Sequence, residues 1–242
     1  SVKTFLLMVV CIVFSIVEAI GFDISFGNAL NLSSQLNINK SVGRTLESLS
    51  VTPDTQGFKN PQYYSVRFRH TQKTSGEHVR SVELELIHHK LYLDEGLPDY
   101  ISSLEFTDGY NLLMGNFVFK KDHIGYRLGV GALITHPDIT IVGDEVGLSC
   151  PKRIYKRGGG LVPLFSKESG YQLSGFSFQF SSFIERVISD RFKAIFEIKA
   201  VPTFMTSPNM FSYRDDLNEN QNLSVKISNL SIHFLGGISF GK

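Results

Sequence analysis

Residues 64–86 read YSVRFRHTQKTSGEHVRSVELEL, two runs of strict alternation around a turn-rich centre. In the first run Tyr64, Val66, Phe68 and His70 share one face, and Ser65, Arg67, Arg69 and Thr71 share the other. In the second, Val82, Leu84 and Leu86 alternate with Ser81, Glu83 and Glu85. Side chains of a strand point alternately to its two sides, so this period of two predicts a β-hairpin. With Lys73-Thr74-Ser75-Gly76-Glu77 as the turn, centred on Ser75, Arg67 lies opposite Glu83 and Ser65 opposite Glu85. Arg67 and Glu85 are then diagonal neighbours. One face is hydrocarbon and the other is matched charge. A membrane-spanning barrel needs that division, with lipid outside and a polar, charge-compensated lumen.

The same alternation recurs on both sides of the hairpin. Phe22, Ile24, Phe26, Leu30 and Leu32 alternate with Asp23, Ser25, Gly27, Ala29 and Asn31 in a first strand, and a polar loop follows over 33–62 with Pro53 and Pro61. The second hairpin strand runs on through Leu93 to a loop over 94–100. A fourth strand lies within 102–120, where Leu104 and Phe106 set one parity and Phe117 and Phe119 the other, predicting a bulge near Gly115. The fifth places Ile124, Tyr126, Leu128, Val130, Ala132 and Ile134 on one face, with Leu133 the apolar exception on the other. After a long loop over 136–169, Phe176, Phe178 and Phe180 alternate with Ser177, Gln179 and Ser181. Phe192, Ala194, Phe196, Ile198 and Ala200 then oppose Lys193, Glu197 and Lys199. A loop over 207–222 leads to the last strand, with Leu230, Ile232, Phe234, Ile238 and Phe240 on one face.

The result is eight strands, joined alternately by long and by tight connections. An up-and-down antiparallel transmembrane β-barrel with short turns at one end has this rhythm. The 136–169 loop is long enough to hold a further hairpin, which would make ten strands.

The front end is a targeting signal. Lys3 is followed by the apolar run Phe5 to Val17, and Val17-Glu18-Ala19 supplies a small-residue cleavage pattern, so residues 1–19 read as a signal peptide and 20–242 as one barrel domain. Cys11 leaves with the signal, and the mature chain keeps only Cys150, so it forms no internal disulfide. The charge balance, 24 Lys+Arg against 23 Asp+Glu, lacks the basic excess that nucleic-acid binding requires. Mean hydropathy is near zero, as expected when lumen residues dilute lipid-facing ones.

Alternation does not itself say which face is inside; a soluble secreted lipocalin-like binding barrel carries the same period. Three features favour the membrane. The polar faces of the first, fifth, sixth and eighth strands hold mostly Ser, Gly, Asn and Gln, small groups that suit a crowded lumen. Phe240 ends the last strand with two residues after it, where lipocalins usually continue into a helix. The chain also has no Trp, hence no lipocalin Gly-x-Trp start.

With its signal segment, eight alternating strands and aromatic-ended last strand, the chain resembles the small outer-membrane barrels of Gram-negative bacteria. The resemblance is architectural and covers nearly the whole mature chain. It implies the cell outer membrane as location, outer-membrane lipid, lipopolysaccharide and the barrel-assembly machinery as partners, and a monomeric state. It implies no particular activity.

His88-His89-Lys90-Leu91-Tyr92 is the densest set of reactive side chains. Leu86 and Leu91 differ in parity, so a bulge near Ile87-His88 would turn His88, Lys90 and Tyr92 into the lumen above Glu85. A His beside Glu at a barrel rim suits a general base acting on a lipid ester through Ser or water. An interfacial belt of His, Lys and Tyr is the structural alternative. His136, before Pro137, is a further candidate at the end of the fifth strand. Ser231 and His233 share a face of the last strand, a two-residue pattern similar to that of outer-membrane lipid A deacylases but in reversed order. Arg67, Arg69, Glu83, Glu85, Arg127, Lys193, Glu197 and Lys199 form the expected lumen charge network. Neutralisation within a narrow lumen relieves the cost of burying each charge. No metal-ligand spacing occurs, and Gly158-Gly159-Gly160 lacks the strand-to-helix setting of a phosphate loop, so no cofactor is expected.

Overall fold

A computed structural model describes residues 21–40, 45–59, 62–73, 78–93, 95–97, 101–136, 138–141, 153–155, 162–163, 171–214 and 220–241. The expected signal segment, Cys150, the Gly158–Gly160 run and the centre of the first hairpin turn lie outside them. All regular elements among the described residues are strands. They are β1 (Gly21–Asn31), β2 (Ser34–Lys40), β3 (Thr45–Val51), β4 (Tyr64–Lys73), β5 (His78–Leu93), β6 (Ile101–Lys121) and β7 (Ile124–Thr135). Three short pieces follow, β8 (Asp138–Ile141), β9 (Arg153–Tyr155) and β10 (Val162–Pro163), then β11 (Gln172–Ser189), β12 (Phe192–Arg214) and β13 (Asn220–Phe240).

Eight of these close a ring in the order β1-β4-β5-β6-β7-β11-β12-β13, with β13 returning to pair with β1 from Phe22↔Phe240 to Asn31↔Ser231. Every pairing in the ring is antiparallel. The chain is therefore an up-and-down eight-stranded barrel. Among the described residues no ninth or tenth strand enters the ring; the extra strands lengthen the wall instead. β2 continues the line of β1 past Leu32-Ser33 and pairs with β13 at Ser228–Leu223, while β8 continues β7 and pairs with the far end of β6.

The loops expected over 33–62 and 207–222 are thus largely wall. Residues 34–40 and 45–51 form the β2–β3 hairpin, and β12 and β13 together span 192–214 and 220–240. The outward row of β2, Gln35, Asn37 and Asn39, is polar because it meets water, and that composition reads as loop. At about 3.3 Å per residue and a tilt of about 40°, the 21 residues of β13 reach roughly 50 Å along the axis. An apolar lipid band is only about 25 Å tall, so about half of the wall stands beyond it.

The outer surface follows this division. Leu230, Phe234 and Ile238 of β13 are exposed, as are Phe68, Leu84, Phe117, Leu128, Phe178, Phe180 and Phe196 around the ring. These side chains form the lipid-facing belt of a transmembrane barrel. Arg67 and Glu83 are buried inside it, while Phe68 and Leu84 point out. The soluble-barrel alternative required the opposite.

Above the belt the strands keep their parity and exchange their polarity. On β13 the outward row continues from Leu230 to the exposed Ser228 and Lys226, while the inward row passes from Ser231 and Asn229 to Ile227 and Val225, both buried. On β6 the pairings with β5 and β7 run unbroken from Asn111 to Lys121, so the bulge expected near Gly115 is absent. Leu112 and Met114 are apolar because they face the interior of the extension. Leu133 joins them for the same reason. Where water replaces lipid outside, the hydrophobic effect draws apolar side chains inward.

The first hairpin is offset by two from its expected register. Arg67 pairs with Glu85 and Arg69 with Glu83, while Ser65 lies opposite Ile87. Each residue keeps its face, because a shift by two preserves parity.

Candidate functional site

The lumen holds three layers. Nearest the turn end, Val118, Phe183 and Ile195 form a small apolar floor, and the Arg127 guanidinium lies 3.7 Å from the centre of the Phe183 ring. Gly125 makes room for that ring: a β-carbon there would come within 2.1 Å of it.

Above the floor sits the charge network. Arg67 donates to Glu85 (2.8 Å) and pairs with Glu197. Arg69 donates to Glu83 (2.6 Å), Asp23 (2.7 Å) and Glu185 (3.1 Å). Arg127 bridges Glu83 (2.6 Å) and Glu197 (3.1 Å), Lys199 donates to Glu85 (2.6 Å), and Lys120 pairs with Glu185. Among the described residues the network contains five carboxylates (Asp23, Glu83, Glu85, Glu185, Glu197) and five cations (Arg67, Arg69, Lys120, Arg127, Lys199). It is neutral as a whole. Ser65, Asn116 and Gln179 also donate to the Glu85 carboxylate. Desolvating ions is costly, and mutual attraction with filled hydrogen-bond valences offsets that cost.

Seven of the eight expected lumen charges lie in this layer. Lys193 is half-buried near the turn-end rim. Asp23, Lys120 and Glu185 were missed although Asp23 and Glu185 lie on inward rows. Asp23 precedes the inward Ser25, and Glu185 continues the row of Gln179, Ser181 and Phe183.

A polar seam separates the charges from the apolar core of the extension. Tyr63, immediately before β4, reaches across the lumen to His233, with its hydroxyl 2.5 Å from Nδ1. His233 Nε2 lies 2.6 Å from Ser231 Oγ. His89 stacks on His233 with ring centres 5.0 Å apart, and Tyr110 closes the seam through Thr203 at 2.6 Å. The core above includes Leu36, Ile38, Leu104, Phe106, Val225 and Ile227, all buried.

The histidine candidates thus separate. Of the two histidines of that cluster, His89 enters the lumen. His88 faces outward, stacks on Tyr64 (5.0 Å) and donates from Nδ1 to Asn111 (2.8 Å). Lys90, also on the outward row, donates to the carbonyls of Gln56 (3.0 Å) and Lys59 (2.5 Å), holding residues 56–59 against the outside of the wall. The expected bulge at Ile87-His88 is absent, since the β4–β5 pairing is continuous there; the register shift lies between His89 and Leu91, against β6. Leu91 is apolar because it faces the extension core, so Leu86 and Leu91 differ in parity without a bulge. The His136 ring lies 5.0 Å from that of Tyr171.

Ser231 and His233 are brought together in a closed setting. Ser231 Oγ lies 2.6 Å from His233 Nε2 and 3.3 Å from the Val201 carbonyl, with the Tyr63 hydroxyl 2.5 Å from Nδ1. Both neutral tautomers of His233 satisfy these contacts. The third member is a tyrosine rather than a carboxylate, and Tyr63, Ser231 and His233 are all at most 1% exposed. Among the described residues no group of three or more His, Cys, Asp or Glu side chains is arranged to hold a metal.

No family model matches the chain, and no curated protein matches it. Solved structures similar to it include the outer-membrane protease OmpT of Escherichia coli (9% identity, 91% of this chain and 96% of that one, TM-score 0.48). Ail, the attachment invasion locus protein of Yersinia pestis, aligns at 9% identity over 89% of this chain and 97% of its own, with a TM-score of 0.31. Neisserial surface protein A aligns at 6% identity over 89% and 96%, with a TM-score of 0.28. All three are outer-membrane barrel proteins. The class of this chain, a transmembrane β-barrel, rests on its own closed ring and inside-out belt.

Proposed function

We propose that this chain is an outer-membrane barrel of a Gram-negative bacterium, exported by its N-terminal signal. Its role is to carry a rigid extension and its loops beyond the bilayer for structural or interaction purposes. One observation carries this proposal: among the described residues the lumen is occupied by a neutral ion network within the belt and an apolar core above it, while the wall continues into water. Such a barrel offers solutes no path and substrates no entry to Ser231. Its working surface is then the outside of the extension, facing lipopolysaccharide, other envelope components and external partners. The short turns at the opposite end face the periplasm, where the assembly machinery delivers the chain. With its ring closed on itself, the barrel works as a monomer.

Reconstitution into planar bilayers tests the sealed lumen: the expected result is no steady conductance, and a stable open channel would refute it. Surface labelling of a cysteine placed at Lys226, in a Cys150→Ser background, in intact cells tests the orientation. Labelling before lysis is expected, and labelling only after lysis would reverse the topology. The lipid-hydrolase alternative is tested by lipid A acylation, which is expected to be identical with the wild type and with Ser231→Ala.

A further inference from the structure

Between β1 and β5 the outward rows turn polar while still at belt height. The outward row of β1 runs Phe22, Ile24, Phe26, Asn28, Leu30 and Leu32, and Phe26, Leu30 and Leu32 are exposed. From Phe22 to Leu32, at about 3.3 Å per residue and a tilt of about 40°, this row rises about 25 Å, the height of an apolar band. Asn28 therefore stands about 10 Å inside the band's upper edge, on the side that meets lipid. On β5 the exposed Val82, Leu84 and Leu86 give way along the same row to His88, Lys90 and Tyr92, all buried. Tyr64 links the two strands, pairing with Phe26 on one side and His88 on the other. An amide and an ammonium bare to hydrocarbon would be costly there.

A knuckle of chain from Gln56 to Lys59 covers these groups. The Gly57 amide donates to Asn28 Oδ1 (3.0 Å), and the Lys90 ammonium donates to the carbonyls on both sides of the knuckle, Gln56 and Lys59. The knuckle closes on itself where Lys59 N–H meets the Gln56 carbonyl (3.0 Å) and Tyr63 N–H meets that of Gly57 (2.8 Å). Glycine lets it lie flat on the wall, since a β-carbon at Gly57 would come within 2.6 Å of the Gly27 carbonyl oxygen. The Lys59 ammonium lies 5.2 Å from the centre of the Tyr92 ring, on the extension side. Between these anchors Phe58 is 72% exposed, the highest value among the large apolar side chains of the described residues.

We propose that this knuckle is a lipid-contact element from outside the ring, which sets Phe58 among the acyl chains of the leaflet at the extension end in place of Asn28 and Lys90. The inference rests on the membrane reading given above and goes beyond it by assigning the lipid surface to a segment between strands. Continuity with the belt supports it: Phe26 lies below the attachment point on β1, and Leu30 and Leu32 lie above it. The fixing supports it too. A fully buried ammonium holds both carbonyls that flank Gly57 and Phe58, while the neighbouring Lys59 turns its charge toward the rim, as a snorkelling side chain does.

Fluorescence of Phe58→Trp, with the full barrel in vesicles of dibrominated phosphatidylcholine, tests the contact, and Phe234→Trp in the belt is the reference. Circular dichroism checks that both variants keep the barrel. Position 58 is expected to lose most of its emission to the brominated chains, as position 234 does, and to be little quenched by aqueous acrylamide. Adding Lys90→Met to Phe58→Trp is expected to free the knuckle and exchange lipid quenching for acrylamide quenching. With position 234 quenched by lipid, acrylamide quenching alone at position 58 would overturn the proposal. Shielding of position 58 from both quenchers, as a protein partner would produce, would overturn it as well. Lipid quenching unchanged by Lys90→Met would remove the clamp on which the proposal stands. Absence of lipid quenching at position 234 would instead defeat the membrane reading itself, so the two failures are distinguishable.

Discussion

The belt and the extension are built from the same strands and solve opposite problems. In the belt, Phe234 and Leu230 of β13 face out and His233 and Ser231 face in; a few residues further, Lys226 and Ser228 face out and Ile227 and Val225 face in. Neither the pleat nor the sheet changes across that boundary. What changes is the solvent outside, and the side chains follow it. A strand's period therefore reports that it has two faces, while the identity of each face is set by the medium it meets. The interior compensates in each half. Ions matched to one another fill the lumen where lipid surrounds it, and hydrocarbon fills it where water does.

Removing one ion from the belt interior should produce the largest effect. Arg67→Leu leaves Glu85 and Glu197 short of a cation in a sealed space, with an expected destabilisation of about 3–5 kcal/mol. Urea unfolding of the reconstituted barrel measures it, and a midpoint unchanged from wild type would mean that the network is solvated. Truncation in the extension core tests the other half. Leu104→Ala, at a fully buried position, should cost about 2–5 kcal/mol through lost burial and the cavity left behind. A cost near zero would show that the extension is not packed as a core.

The outer surfaces give a sharper contrast. Phe180→Arg places a charge on the lipid face of an exposed belt position and should cost about 2–4 kcal/mol. Ser228→Arg, on the outward row of β13 just past the belt, should stay within about 0.5 kcal/mol. Equal costs at the two positions would erase the boundary. At the seam, Ser231→Ala removes one partner of His233 and should cost about 1 kcal/mol. A gain in stability would mark Ser231 as a strained group retained for chemistry.

The ring, and the face on which the hairpin charges lie, were legible in the sequence because both depend on parity alone. Arg67, Arg69, Glu83 and Glu85 kept their face even though the hairpin register moved by two. Harder to read was the change of surroundings along a strand. Leu104, Phe106 and Leu91 sit on the inward row, where lipid-belt logic expects polar groups, so the apparent parity breaks suggested bulges at Gly115 and at Ile87-His88. The outward Gln35, Asn37 and Asn39 of β2 read as loop for the same reason. Tyr63 could not be found by pattern at all. It stands just outside a strand, and its role depends on His233, 170 residues away.

The chain contains no tryptophan, so single-tryptophan variants along the outward row of β13 report the boundary without background. With Phe234→Trp and Lys226→Trp in bilayers containing brominated lipid, fluorescence quenching is the decisive measurement. Strong quenching by the lipid at position 234 is expected, together with none at position 226, where aqueous acrylamide should quench instead. Lipid quenching at both positions, or acrylamide quenching at both, would contradict the inversion of the wall.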